Sequence, residues 1–140
     1  IPPTNTPLPP TDIPTATQMS ATATPLVALS AKLAYVTSWP ENKRIYVPNE
    51  IYGLAIGFEN NGTIPWEAGS TIKLVDYKGE PTVQTSLTLD KVILPGEKVE
   101  YGLWTFGSET LGEHTFFFQL YTKDGLAIPG GYASYTYTAV

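Results

Sequence analysis

Glu50 to Trp66 reads "EIYGLAIGFENNGTIPW". Tyr52, Leu54, Ile56 and Phe58 share one parity, and Gly53, Ala55 and Gly57 share the other. A strand places alternate residues on opposite faces, so this stretch predicts a strand with one large apolar face and one shallow face. Asn60-Asn61-Gly62-Thr63 then reads as a tight turn, because Asn and Gly tolerate positive φ. A large indole follows three residues after the turn, between Pro65 and Glu67. Trp66 is expected to fold back from its loop as a structural anchor that caps the core. Its N–H is expected to reach a carbonyl, as a buried indole usually does.

The same pattern recurs along the chain. "STIKLVDYKGEP" predicts a strand ending at a Lys-Gly turn, and "LPGE" breaks "TVQTSLTLDKVILPGEKVEYGLWTF" into two strands at Pro95-Gly96. "HTFFFQLYTKDGLAIPGGYASYTYTAV" predicts two more, joined through Asp124-Gly125 and Pro129-Gly130-Gly131. No window carries sustained helical periodicity. The expected fold is all-β: an immunoglobulin-like sandwich of 7–9 antiparallel strands over residues 32–140. That body of about 110 residues is large enough to bury its own core.

Residues 1–31 differ in kind. They hold seven of the thirteen prolines and a single charged residue, Asp12. Proline fixes φ and donates no hydrogen bond, so an extended Pro/Thr-rich N-terminal segment is expected. A flexible stalk and an O-glycosylated stalk both fit this composition. Thr4, Thr6, Thr11, Thr15 and Thr17 are candidate glycan acceptors. At the end of this segment, Val27, Leu29 and Ala31 alternate with Ala28 and Ser30. Leu26, Val27, Ala28, Leu29, Ser30 and Ala31 therefore form a candidate inter-subunit strand, able to pair with a sheet of a neighbouring copy.

Several functions are disfavoured. A net charge of -5 offers no basic patch, so nucleic acid is not an expected partner. Without cysteine there is neither disulfide nor thiolate metal site, which suits an exported protein. No apolar run approaches the roughly 18 residues of a membrane span. The chain opens on Ile1 without a signal peptide and reads as a processed chain or a fragment. His114 is the only histidine, and neither a catalytic residue, a cofactor nor a metal site is expected. Glu59 and Glu67 could meet as paired carboxylates, although acids on strands and loops are usually only solvated.

The segments "GFENNGTIPWEAG", "LPGEKVEYGL" and "LGEHTFFFQLYTKDGLAIPGGYASYTYTAV" together resemble the four-tryptophan immunoglobulin-like domain of selective-autophagy receptors and exported bacterial proteins. The likeness spans roughly Leu33 to Val140. Asn60, Gly62, Thr63 and Trp66 carry its most specific motif, with Pro95 to Glu97 a second and weaker one. Ile56 and Phe118 stand where that family has tryptophans. A Pro/Thr segment before such a domain also resembles exported proteins of filamentous bacteria.

Two functions follow as expectations. One is a non-enzymatic structural subunit of an extracellular filament or surface layer, a homopolymer joined by its N-terminal segment. The other is a stalked cell-surface module that binds carbohydrate or protein through exposed aromatics, with Trp39 and Trp104 the candidate surface. Trp39, Trp104, Phe117, Tyr121, Tyr135 and Tyr137 fall partly on the parity opposite the core, so some of them should face outward. Glycosylation of the Thr acceptors is expected if the chain serves a surface fibre. Mass spectrometry of native material should then find the peptides of residues 1–31 heavier than their polypeptide mass, and unmodified peptides would contradict it.

Overall fold

The computed structural model describes residues 28–40 and 44–140. Eight strands form two packed sheets, with no helix among these residues. The first sheet contains β1 (Lys32–Trp39), β3 (Ile51–Glu59) and β6 (Lys98–Phe106), in the order β1-β3-β6. The second contains β2 (Ile45–Tyr46), β4 (Ser70–Lys78), β5 (Ser86–Leu89), β7 (Gly112–Tyr121) and β8 (Ala127–Ala139), in the order β2-β8-β7-β4-β5.

Period-2 alternation explains most of this architecture. Tyr52, Leu54, Ile56 and Phe58 of β3 point inward and are buried. So are Val99, Tyr101 and Leu103 of β6, Phe116, Phe118 and Leu120 of β7, and Ala133, Tyr135 and Tyr137 of β8. Each sheet thus presents one apolar face, and the two faces meet as the core. Tyr135 and Tyr137 belong to that core. Phe117, Tyr121, Trp39 and Trp104 lie on the opposite parity of their strands, with Phe117 and Tyr121 half-buried.

Three expectations need correction. All pairings were expected to be antiparallel, but β2 runs parallel to β8. Two residues suffice there because Tyr46 is fully buried and stacks on Tyr52 at 3.9 Å and on Tyr137 at 4.3 Å between ring centroids. Its hydroxyl lies 2.9 Å from that of Tyr135, and burial, the main cause, pushes its ionisation far above the ordinary phenol range. Second, Pro129-Gly130-Gly131 does not join two strands. It lies inside β8, where pairing with β7 jumps from Gln119↔Tyr132 to Tyr121↔Ala127. This β-bulge places Gly130 at φ 79°, where a side chain would also strike the Ala31 carbonyl.

Third, the candidate inter-subunit strand is partly committed to its own sandwich. The Ala28 carbonyl accepts from Thr63 N–H at 2.9 Å and from Ile64 N–H at 3.3 Å. Ala31 N–H donates to the Pro129 carbonyl at 2.8 Å, and the Ala31 side chain is buried. Leu29 packs against the core. The segment from Ala28 to Ala31 therefore lies across one end of the sandwich. Leu26 and Val27, and the acceptors Thr4, Thr6, Thr11, Thr15 and Thr17, fall outside the described residues.

Trp66 is buried as expected, with 1% of its surface exposed, and its backbone exchanges hydrogen bonds with Ile93 at 2.9 Å each way. Its indole N–H, however, finds no acceptor among the described residues. The buried Asn60 side chain bridges its own turn to Ile93. Asn60 Nδ2 donates to Ile64 O at 3.0 Å and to Ile93 O at 2.9 Å, while Oδ1 accepts from Gly62 N–H at 3.1 Å. The Asn60 backbone also joins the Pro95-Gly96 turn, through Glu97 O at 2.9 Å and Gly96 N–H at 2.7 Å. In that turn Gly96 takes φ 86°, the conformation a type II turn demands after proline.

Replacing Trp66 by Ala should destabilise the fold by about 3–5 kcal/mol, typical of a large buried aromatic. Trp66→Phe should cost clearly less, because it keeps most of the ring and deletes a buried donor without an acceptor. Denaturant unfolding measures both. Equal costs for the two variants would contradict this account of the loop.

Candidate functional site

The outward face of β3 carries Gly53, Ala55 and Gly57, with hardly any side chain to fill space. The register sets three rows across the first sheet: Trp39, Gly53 and Trp104; Thr37, Ala55 and Gly102; Tyr35, Gly57 and Glu100. In the outer rows large side chains from the neighbouring strands lean over the glycines. A Cβ at Gly53 would lie 3.2 Å from Trp39 Cβ, and a Cβ at Gly57 would collide with the Tyr35 ring. The middle row stays open. The result is a groove crossing the sheet, about 480 Å³ in volume, with Ala55 and Gly102 in its floor and Trp39 on one wall.

Each wall is differently fixed. Tyr35 donates from its hydroxyl to Glu100 Oε1 at 2.8 Å, and this bond to a carboxylate is the main cause that raises its ionisation above the ordinary phenol range. Trp104 stacks along its own strand on Phe106, with centroids 6.1 Å apart. Trp39 is 71% exposed and Trp104 52%. Among the described residues no other ring stacks on Trp39. Adjacent strands lie about 4.8 Å apart, so the two tryptophan backbones stand roughly 10 Å apart across Gly53. Trp104 also has its backbone carbonyl bonded, to Gln84 N–H at 2.9 Å, so the segment Thr82–Gln84 closes the outer edge of β6 at that end.

The outer face of the second sheet contrasts with this one. Phe117 stacks on Tyr132 across β7 and β8 at 6.3 Å. Lys78 Nζ stands over Phe117 at 6.0 Å, and Lys73 Nζ over Tyr121 at 5.2 Å. Its aromatics are thus engaged as cross-strand pairs and cation–π partners, which accounts for them as sheet stabilisers. The first sheet leaves its largest rings facing solvent.

His114 is buried and stacked on Tyr137 at 5.1 Å, with Nδ1 accepting from Glu80 N–H at 3.0 Å and Nε2 lying 2.7 Å from the Thr110 carbonyl. That pattern requires the neutral Nε2–H tautomer. Both ring nitrogens are occupied by backbone, so the ring has no free atom for proton transfer. Glu80 receives the Ser108 hydroxyl on one oxygen and the Thr110 hydroxyl, at 2.9 Å, on the other. Glu67 pairs with Lys123 at 2.7 Å, whereas Glu59 stands on β3 between Lys32 and Lys98 in register. Among the described residues no three His, Asp or Glu side chains gather in a metal-binding group. No helix among them is long and apolar enough to cross a membrane.

Of the residues singled out in the sequence, Trp39 and Trp104 are brought into one row and Trp66 is placed in the core. Thr37, Glu100 and Gly102 complete the groove and were not foreseen. Their only signal was the shallow Gly53-Ala55-Gly57 face, which predicts a cavity without saying what walls it.

Comparison of the sequence with protein-family models finds no match, and comparison with curated proteins finds none either. Comparison of the fold finds relatives. A CARDB domain from Pyrococcus furiosus superposes with a TM-score of 0.54 at 11% identity, covering 81% of this chain and 94% of that one. The sporulation control protein Spo0M of Bacillus subtilis superposes with a TM-score of 0.50 at 17% identity, covering 79% of this chain and 49% of that one. Likenesses at such low identity establish the β-sandwich fold.

The Ser108 and Thr110 hydroxyls hold the Glu80 carboxyl below its ordinary pKa of 4.5, the Ser108 bond contributing most. A carboxyl depressed on folding stabilises the native state above its unfolded pKa. That contribution should be lost as pH falls through the lower, folded value. Melting temperatures measured from pH 7 to pH 3 should therefore fall less steeply at the acid end in Glu80→Gln than in the parent chain. Parallel curves would show that Glu80 carries no such linkage.

Proposed function

We propose that this chain is a non-enzymatic binding module of the cell exterior, and that its ligand is an extended, weakly charged polymer chain seated in the groove of the first sheet. The carrying observation is the row Trp39, Gly53 and Trp104: two exposed indoles flanking a residue with no side chain. Flat aromatic faces over a shallow floor suit a ligand that presents apolar faces along its length. Among the described residues that line the groove, Glu100 is the one charged side chain, and its carboxylate already accepts from Tyr35. The resemblance to the four-tryptophan immunoglobulin-like domain and the Pro/Thr composition of residues 1–31 support an exported, stalked module.

The reading as a filament subunit, joined by its N-terminal segment and carrying glycans on it, has one structural observation in its favour. β1 is an edge strand, paired only with β3 among the described residues. An open edge can take a further strand. In that reading the Ala28 carbonyl and the Ala31 N–H are already bonded within their own sandwich, so they do not pair with a neighbour.

Tryptophan fluorescence tests the groove. Titration with oligoproline and with a soluble gluco-oligosaccharide should shift the emission with one of them, while buried Trp66 supplies an unresponsive background. Trp39→Ala or Trp104→Ala should weaken binding by about tenfold or more, or at least ~1.4 kcal/mol. Melting temperatures should stay near that of the parent, since neither ring is in the core. An emission spectrum blind to both ligand series would contradict the proposal.

A further inference from the structure

We infer that the groove beside Trp39 receives the proline-rich stretch Ile1 to Pro10 of a second copy of this chain. The inference rests on the binding role proposed above and names its ligand. Four observations carry it.

The first is chemical fit. "IPPTNTPLPP" contains five prolines in ten residues and no charge, and Pro7-Leu8-Pro9-Pro10 spaces two prolines three residues apart. Such segments favour polyproline II, a helix without internal hydrogen bonds whose ordering costs little on binding. They are recognised by grooves whose aromatic walls accept pyrrolidine rings. Trp39 supplies such a wall, over a floor where Ala55 and Gly102 leave the ligand room.

The second is charge. The stretch has none to set against Glu100, whereas an acidic peptide would be repelled by it. The third is reach. Seventeen residues separate Pro10 from Ala28. As a flexible chain they span about 23 Å on average, and as polyproline II about 50 Å.

The fourth is polarity. Ala28 is held by Thr63 and Ile64, beyond the Glu59 end of β3, while Trp39 and Trp104 flank Gly53 near the other end. Six residues of strand, about 20 Å, separate those ends. The described chain thus begins at the end of the sandwich opposite the two tryptophans, and a copy stacked end to end would bring its groove to that end. One end of the molecule gives and the other receives, so the contact is heterologous and repeats into a linear chain unless rotation closes it.

The absence of cysteine makes the test direct. Leu8→Cys in the full-length chain, labelled with a benzophenone maleimide, is mixed in equal parts as ¹⁵N-labelled and unlabelled protein and irradiated. Cross-linked peptides are mapped by mass spectrometry. The expected result is links of mixed isotope, ending on the peptides that contain Thr37–Trp39 or Gly102–Trp104. Trp39→Ala in the receiving chain, with its melting temperature checked, should cut their yield by about tenfold or more. Links only between segments of the same isotope, links elsewhere on the sandwich, or none at all would overturn the inference. If oligoproline or the oligosaccharide still shifts the tryptophan emission in that case, the binding role survives and this assignment of its ligand fails. If emission is blind as well, both fail.

Discussion

The two faces of β3 govern the rest of the molecule. Its inward residues, Tyr52, Leu54, Ile56 and Phe58, are all buried in the core between the sheets. Its outward residues, Gly53, Ala55 and Gly57, leave no side chain able to cover the sheet from outside. One alternation therefore sets both the stability of the fold and the shape of its surface. The central position of β3 matters as much as its sequence. Only a strand flanked on both sides can form a floor, and β1 and β6 then supply Trp39 and Glu100 along its rim.

The two sheets divide their labour. On the second, outward aromatics pair across strands and sit beneath lysines, so their faces are already used. On the first, Trp39 packs on Gly53 and, among the described residues, no other ring stacks on it. An exposed indole that does not stabilise its own sheet is a stronger sign of recognition than its size or position in the sequence alone. His114 has both ring nitrogens bonded to backbone, and Glu80 is held by Ser108 and Thr110, so these two polar groups tie loops together.

What could be read from the sequence was local. The alternation in β3, the Pro95-Gly96 turn and the burial of Trp66 each depend on residues close in the chain. What could not be read depends on distant partners. Tyr46 forms a two-residue parallel strand only because Tyr52, Tyr135 and Tyr137 come together around it. Ala28 to Ala31 alternate like a free strand, yet Thr63, Ile64 and Pro129 claim their backbone from elsewhere in the chain. Pro129-Gly130-Gly131 has turn composition, but the carbonyl of Ala31 needs the space that Gly130 leaves, and a bulge results. Asn60 illustrates both sides. Its place in a turn was legible, whereas its two bonds to Ile64 and Ile93 were not. For the groove, the floor was legible in Gly53, Ala55 and Gly57 and the walls were not, since those are fixed by register.

The central claim is that the outward face of β3 is a recognition surface. Amide chemical-shift mapping of the full-length chain, titrated with the ligand that moves its tryptophan emission, tests it most directly. The account predicts that the largest changes fall on Thr37, Gly53, Ala55 and Gly102, with Phe117, Tyr132 and Lys73 on the opposite sheet unmoved. Changes concentrated on Phe117 and Tyr132, with the β3 amides silent, would contradict it.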